Sequence, residues 1–226
     1  MSVVSRSLAP VGRVLLRDQA LLLIRDAIVT GDLAPGAVVK DADLARQLGL
    51  SVAPVRTALA RLADEGLVEA KPQSHTRVTP LVPRQVREAA VVVRAMQELA
   101  AREAVPHLTA DDVIAMRAAN DRFAAALDAG DVDEAMAADD DLHAVLLVRC
   151  GNSAVVATVD RFTPAIRRLE RRRFADAHGR RSIDLHERLI AACAAADADA
   201  AVATTTEIWT ALLSELTEET PDEQAR

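Results

Sequence analysis

The chain has 226 residues, of which 50% are hydrophobic and only 2% are aromatic. A core of Ala, Leu and Val favours closely packed helices over an aromatic-rich β-sandwich. No apolar run approaches the roughly 18 residues that span a bilayer, and no secretion signal is apparent, so we expect a cytoplasmic protein without a membrane segment. Two cysteines, Cys150 and Cys193, are too few for a disulfide framework and indicate a reducing compartment.

The net charge of −7 is distributed unevenly along the chain. Residues 1–80 contain 10 Lys and Arg against 8 Asp and Glu, whereas residues 81–226 contain 17 against 26. The first part is therefore mildly basic and the second strongly acidic. This asymmetry indicates two modules with different partners, and the basic balance of the first permits contact with DNA without demonstrating it.

The first module is predicted from apolar spacing and turn residues. Residues 1–14 have no sustained pattern and are expected to form a flexible arm, and residues 15–80 are expected to form the folded unit. Its predicted elements are, in chain order, helix Leu15–Thr30, extended Val38–Val39, helix Asp41–Leu48, helix Ser51–Glu65, and strands Leu67–Lys71 and Thr76–Thr79. Ser51 is expected to cap the third helix. This order (helix, strand, helix, turn, helix, hairpin) is that of a winged helix-turn-helix. The second helix of the helix-turn-helix motif enters the major groove of DNA. A three-helix protein-binding module with a hairpin is the alternative.

The second module, residues 84–219, is predicted to be an all-α bundle of about six helices, so the fold class is mainly α. The predicted helices are Arg84–Val105, Thr109–Ala129, Asp131–Val148, Ser153–Phe174, Ser182–Ala196 and Asp199–Glu219. Thr109 with Asp112 resembles a capping box, and Asp131 and Ser182 are expected to cap their own helices. Residues 220–226 are polar and are expected to form a tail.

The residues of the first module resemble the GntR family of bacterial transcription regulators. The matching pieces are Gly31-Asp32-Leu33-Ala34-Pro35-Gly36, Leu44-Ala45…Leu48-Gly49-Leu50-Ser51, Pro54-Val55-Arg56-Thr57-Ala58-Leu59 and Glu65-Gly66-Leu67-Val68. The second module is similar to the effector-binding (FCD-like) domain of the FadR-type branch, through Arg94…Glu98, Asp139-x-x-x-His143, Gly151-Asn152 and Leu185-His186. The resemblance implies a ligand-responsive homodimer, expected to be a repressor, that binds double-stranded operator DNA and a small effector such as an organic acid.

The resemblance also implies which residues meet DNA and which meet the effector. Arg56 is expected to face the groove, and Arg46, Lys71 and Arg77 are expected to contact phosphates. The candidates for DNA contact are Arg46, Ser51, Val52, Arg56, Lys71, His75 and Arg77. For the effector they are Arg94, which could grip a carboxylate or instead pair with Glu98, and Asn152.

Three positions depart from the family pattern in the part that would read DNA. Val52 stands where Arg is usual, Ala53 follows it in place of a small polar residue, and His75 stands near the usual wing glycine. We therefore expect an operator unlike the common one, or weaker binding, although Val52 could contact a thymine methyl group.

A metal site is predicted from Asp139 and His143, which are four residues apart on one helix face, together with His186. The related domains hold a metal with one Asp and three His, and the third His falls here at Ile208, while Glu207 points about 100° away from that direction. Zinc or nickel is the expected metal. The alternative is a hydrogen-bonded Asp139–His143 pair, with His186 in a polar cavity.

The basic cluster at residues 167–173 is expected to be a solvated face or a dimer contact, with anion access or DNA contact as alternatives.

Asp139, His143 and His186 mimic the ligands of non-haem iron oxygenases, but the strands of those enzymes and other catalytic motifs are missing, so an enzyme is not expected. A ligand-binding dimer with a degenerate DNA-binding head is the remaining alternative.

Overall fold

The computed structural model describes residues 15–71, 75–175 and 179–218. The predicted arm and tail therefore lie outside the described residues. The helices are α1 (Leu16–Thr30), α2 (Asp41–Leu48), α3 (Val52–Asp64), α4 (Pro83–Ala104), α5 (Ala110–Ala129), α6 (Val132–Arg149), α7 (Ser153–Ala175), α8 (Arg180–Ala194) and α9 (Ala198–Glu218). The strands are β1 (Val38–Val39), β2 (Val68–Lys71) and β3 (His75–Val78). The predicted mainly α architecture is confirmed.

The first unit, which we call the head, is built on three helices and a small antiparallel sheet. The strand order is β1-β3-β2, with Val38 opposite Arg77 and Val68 opposite Val78. The apolar stripe of α3 packs on α1 because residues three and four apart share one helix face. Gly49, at φ 65°, ends α2 in the left-handed conformation that glycine adopts without strain. The head therefore has a hydrophobic core of its own.

The second unit is a bundle of the six helices α4 to α9. The helix α4 packs against α7 and α9, while α5 packs against α6 and α8. The capping box at Thr109 and Asp112 is present, and the Asp131 carboxylate accepts a hydrogen bond of 3.1 Å from the Glu134 amide. No helix within the described ranges is both long enough and apolar enough to cross a membrane.

Two predicted helix caps are wrong. Ser182 lies inside α8, which begins at Arg180, and the side chain is buried, because this face of the helix packs into the bundle. Ser51 does occupy the position before α3, but its side chain makes no capping hydrogen bond. The start of α3 is therefore not stabilised by the hydroxyl that the sequence suggested.

The head contacts the bundle mainly through α1 and α7. The Nη2 atom of the Arg161 guanidinium donates a hydrogen bond of 3.2 Å to the carbonyl oxygen of Asp64, at the end of α3. Arg168 donates from both Nη atoms to the carbonyl oxygen of Thr79, just after β3, at 3.1 Å each. The helix α7 thus connects the bundle with both the recognition helix and the wing sheet.

Candidate functional site

The three predicted metal ligands converge inside the bundle. The helix α6 presents Asp139 and His143 on one face, and α8 contributes His186. The Oδ1 atom of Asp139 lies 3.4 Å from His186 Nε2 and 3.8 Å from His143 Nε2. Asp139 and His186 are buried, with 5% and 1% of their surfaces exposed. Sequence spacing thus identified residues that the fold brings together.

The spacing of these atoms suits a tetrahedral metal ion. Two ligands bound about 2.1 Å from a tetrahedral ion lie about 3.4 Å apart, close to the observed separations. One donor atom from each of the three residues lies within 4.8 Å of the others. One carboxylate and two imidazoles are donors that zinc and nickel accept, so the residues present fit such an ion.

The hydrogen bonds of Asn120 determine which nitrogen of His186 faces Asp139. The Asn120 amide donates to Glu187 Oε1 at 2.9 Å and to the Ile183 carbonyl at 3.3 Å. Its Oδ1 atom, 3.0 Å from His186 Nδ1, must then be the acceptor, so Nδ1 of His186 carries the proton. The lone pair of Nε2 is therefore directed toward the site.

Burial keeps this imidazole neutral. Desolvation, helped by the positive charges of Arg173 and Arg167, outweighs Asp139 and lowers the pKa of His186 to about 3. Its Nε2 atom has no hydrogen-bond partner among the described residues. An unprotonated nitrogen and a carboxylate oxygen at 3.4 Å are two acceptors facing each other, an arrangement that a cation between them would stabilise.

The alternative of a hydrogen-bonded Asp139–His143 pair is not what the structure shows. The 3.8 Å separation of His143 Nε2 and Asp139 Oδ1 exceeds hydrogen-bond length. Burial lowers the pKa of His143 despite the neighbouring carboxylate. Both imidazoles are therefore neutral at neutral pH, which is the form that binds metals.

Arg167 is a component of the site that the sequence did not identify. Its Nη1 atom donates to Asp139 Oδ2 and to Glu170 Oε2, each at 2.7 Å, and Nη2 pairs with Asp140. Burial alone would raise the pKa of Asp139, but the charge and hydrogen bond of Arg167 together with the two neighbouring imidazoles outweigh burial, and the pKa is lowered to about 2. Asp139 thus remains ionised, with one oxygen bonded to Arg167 and the other facing the two imidazoles.

A cavity of about 30 Å³ adjoins these ligands. That volume is about the share of one water molecule in the liquid, so the cavity accommodates an ion or a water but not an organic acid. Ile208 lines it where the related domains carry a third His. Glu207 points away and pairs with Arg188 at 2.6 Å, in agreement with the expected helical rotation.

The two predicted effector residues do not line this cavity. Arg94 pairs with Glu98, four residues on, at 3.5 Å, which is the alternative that its spacing left open. The Oδ1 atom of Asn152 accepts hydrogen bonds from the amides of Ala154 and Val155, so Asn152 caps the start of α7. Sequence similarity suggested these positions, whereas local helix geometry accounts for their contacts.

The basic cluster of α7 was expected on a solvated face or at a dimer contact, but three of its five arginines are buried within the chain. Arg167, Arg168 and Arg173 are only 8%, 8% and 7% exposed. The reason is that α7 packs against α4, α6 and the head helix α1, so that most of its circumference is covered. These side chains interact with groups inside the protein and at the junction of its two units.

The recognition helix α3 presents Arg56 to solvent. The side chain is 74% exposed, and its Nη2 and Nε atoms donate to Asp41 Oδ2 at 2.7 and 3.1 Å. The sequence did not identify Asp41 as its partner. Arg46 is equally exposed and pairs with Asp43, whereas Val52 packs partly against the head core.

The remaining DNA-contact candidates lie at the start of α3 and in the sheet. Ser51 is exposed, and His75 and Arg77 are half-buried on β3. The side chain of Lys71 lies outside the described part of the chain. Arg46, Ser51 and Arg56 are therefore exposed on α2, before α3 and on α3, whereas His75 and Arg77 are less accessible than expected.

The fold and the site together define a two-unit protein, with a winged helix-turn-helix head and a helical bundle that has buried metal-type ligands. Residues 16–78 match the bacterial regulatory proteins of the gntR family, and residues 88–211 match the FCD domain. The chain therefore belongs to the GntR family and is a transcriptional regulator with an FCD effector-binding domain.

Individual relatives agree with this assignment. An uncharacterized HTH-type transcriptional regulator in the TAR-I ttuE-ttuC' intergenic region of Agrobacterium vitis is 33% identical over 62% of this chain and 82% of its own. The HTH-type transcriptional repressor RspR of Escherichia coli K12 is 26% identical over 57% of each chain. The structure of E. coli McbR/YncC has the same fold, with a TM-score of 0.81 at 22% identity over 92% of this chain and 99% of that one.

Proposed function

We propose that this regulator is a cytoplasmic repressor that binds double-stranded operator DNA as a homodimer. The observation that carries the proposal is the exposed Arg56 guanidinium on the recognition helix, because Arg is the side chain that most often reads guanine in the major groove. The presence of the repressor RspR among its relatives supports repression rather than activation. In a dimer, two recognition helices would enter major grooves about one helical turn apart.

We further propose that Asp139, His143 and His186 hold a divalent metal ion, zinc or nickel, in the effector domain. The bare Nε2 of His186 facing the Asp139 carboxylate supports this ligand set. With three protein ligands, a bound metal would supply positive charge and an open position for the carboxylate of a small effector. Because the cavity holds about one water molecule, an effector would have to displace neighbouring side chains, and that displacement is the proposed signal.

DNA binding is tested by selecting duplexes from a random library with the full chain and measuring affinity against salt concentration. We expect tight, salt-sensitive binding to the selected duplex, and a loss of about tenfold or more in Arg56→Gln. Arg102→Gln, an exposed arginine of the bundle, serves as the control for loss of charge. A protein that selects no duplex and shows no salt-sensitive binding is instead a ligand-binding dimer with a degenerate head.

Metal binding is tested by elemental analysis of protein purified without added metal, followed by zinc titration of the chelator-treated protein. We expect about one equivalent per chain, and weaker binding in His186→Gln, because one of three protein ligands is lost. His107→Gln removes an exposed histidine outside the site and should leave binding unchanged. Absence of stoichiometric binding in the wild type would leave Asp139 and Arg167 as a structural ion pair.

A further inference from the structure

A second, larger cavity lies at the junction of the head and the bundle. Its volume is about 490 Å³, and it is formed by the end of α1, the turn that follows, Leu81 and the helix α7. Three arginines line it, Arg168, Arg171 and Arg172, and none of the described residues lining it is an Asp or a Glu. Arg171 pairs with Asp133, which lies outside the lining. The lining itself is therefore basic, although the part of the chain after residue 80 is strongly acidic.

Arg168 has an unusual environment for a buried arginine. Only 8% of the residue is exposed, and its two Nη atoms donate to the carbonyl oxygen of Thr79. No carboxylate of the described residues lies within 4.0 Å of its guanidinium, and desolvation lowers its pKa. By contrast, the neighbouring Arg167 contacts three carboxylates. A buried guanidinium with only a carbonyl partner lacks the counter-charge that burial normally requires.

The rest of the crevice is apolar. Ile28, Val29, Pro35, Leu81 and Val132 contribute to its walls. Its volume lies within the range of about 300 to 1,000 Å³ that is typical of sites for small molecules. It shares no lining residue with the cavity beside His186, so a ligand here would not meet the metal ligands.

We propose that this crevice binds a small organic anion, a carboxylate or a phosphate ester that bears an apolar group. The anionic oxygens accept hydrogen bonds from the N–H groups of Arg168 that Thr79 does not use, and the apolar group contacts Ile28 and Val29. Charged hydrogen bonds to a guanidinium are the stronger kind, and here they also supply the missing counter-charge. Since Arg168 connects α7 to the end of β3, the ligand lies where it affects the orientation of the head.

The test uses calorimetric titration of the full chain with phenyl phosphate, benzoate and benzyl alcohol at constant ionic strength. A chelator is present throughout, so that no carboxylate binds through a metal. We expect one or both anions to bind, and the stronger of them identifies phosphate or carboxylate as the preferred group. Benzyl alcohol, which has the apolar group without the charge, is expected not to bind. Arg168→Gln should weaken binding about tenfold or more, and Arg102→Gln should not.

A second variant separates ligand binding from folding, since Arg168 also contacts Thr79. Val29→Glu places a carboxylate in the crevice and keeps that contact, and it should abolish anion binding while the circular dichroism spectrum stays unchanged. The proposal is wrong if neither anion binds to the wild type. It is equally wrong if Val29→Glu binds as well as the wild type. DNA binding does not enter this experiment, so its outcome is independent of the proposed repressor function.

Discussion

Asn120 determines the chemistry of the buried site although it is not one of its ligands. Its Oδ1 atom accepts a hydrogen bond from Nδ1–H of His186, so the lone pair of His186 Nε2 is directed toward Asp139. The imidazole stays neutral in the folded protein, with a pKa of about 3. In the unfolded chain the same group has an ordinary pKa of about 6.5. Between these two values the unfolded chain binds a proton that the folded protein does not.

Acid should therefore destabilise the metal-free protein through His186. As pH falls below about 6.5 the unfolded state gains the proton first, so the free energy of unfolding decreases toward a pH of about 3. Between pH 7 and about pH 5.5 we expect His186 to account for a loss of about 1 kcal/mol. Urea unfolding in the presence of a chelator gives the loss of unfolding free energy between the two pH values for the wild type and for His186→Gln. The difference between these two losses is the contribution of His186. Equal losses in the two proteins would contradict the low pKa.

Asp41 orients the exposed side chain of Arg56 on the recognition helix. The Oδ1 atom of Asp41 accepts a hydrogen bond of 2.8 Å from the Ala42 amide, which fixes the carboxylate. Its Oδ2 atom accepts hydrogen bonds from both Nε and Nη2 of Arg56. The hydrogen bonds from Arg56, supported by the Ala42 amide and the charge of Arg56, lower the pKa of Asp41, so the carboxylate stays ionised. In the proposed complex the outer N–H groups of the guanidinium would be available for a base edge, while the carboxylate would repel nearby phosphates.

Asp41→Asn should therefore reduce specificity more than affinity. We expect binding to unrelated DNA to become stronger, because a negative charge near the phosphates is lost. We also expect the preference for guanine at the position read by Arg56 to fall by about 1 kcal/mol or more. Competition between the selected duplex and its single-base variants measures the change, with Asp43→Asn, the partner of Arg46, as control. Unchanged base discrimination would show that Asp41 has no role in positioning Arg56.

At the scale of elements, the sequence predicted what local signals determine. The bounds of α2 are those expected, and the capping box of α5 forms, because these features depend on residues close together in the chain. Residues four apart on one helix also correctly placed Asp139 beside His143. The partner of Asp139 could not be predicted, since Arg167 lies 28 residues away and meets it only through the packing of α6 on α7.

The burial of α7 illustrates the same limit. Five of its arginines were expected on a solvated face or at a dimer contact, because charge normally marks an exposed face. The burial of three of them, Arg167, Arg168 and Arg173, depends on contacts of α7 with α1, α4 and α6, which are distant in the chain. Asn120 did carry a usable signal: it is a polar residue between the buried Met116 and Phe123 on α5. A buried amide in an apolar stripe needs partners, and here those partners orient a metal ligand.

Helix α9 lacks one ligand of the related metal sites, and this can be restored. Ile208 lines the cavity, so Ile208→His should add a third imidazole and strengthen zinc binding by about tenfold or more. Glu207→His is the matched control, because that position points to solvent and pairs with Arg188. Zinc titration against a fluorescent competitor gives both affinities. Equal affinities in the two variants would mean that α9 does not face the metal position.

At the scale of the whole molecule, one helix contacts every part that signalling would involve. The helix α7 reaches the buried site through Arg167, the end of the recognition helix through Arg161, and the end of the wing sheet through Arg168. A metal bound at Asp139, as proposed, would change the charge that Arg167 faces, so the position of α7 would become sensitive to the state of the site. For the metal to change the orientation of the head, the two orientations need only differ in their contacts with α7.

Arg161→Ala should accordingly weaken the coupling between the two units without affecting either site. Its contact with the Asp64 carbonyl is one hydrogen bond at the junction, and one such bond contributes about 1 kcal/mol. We expect zinc affinity to stay unchanged, while the factor by which zinc alters operator affinity decreases about two- to fivefold. Fluorescence anisotropy with and without zinc measures that factor, and Arg149→Ala, whose partner Asp112 lies within the bundle, controls for lost charge. An unaltered factor in Arg161→Ala would place the coupling elsewhere, because the head then responds to the metal without this contact.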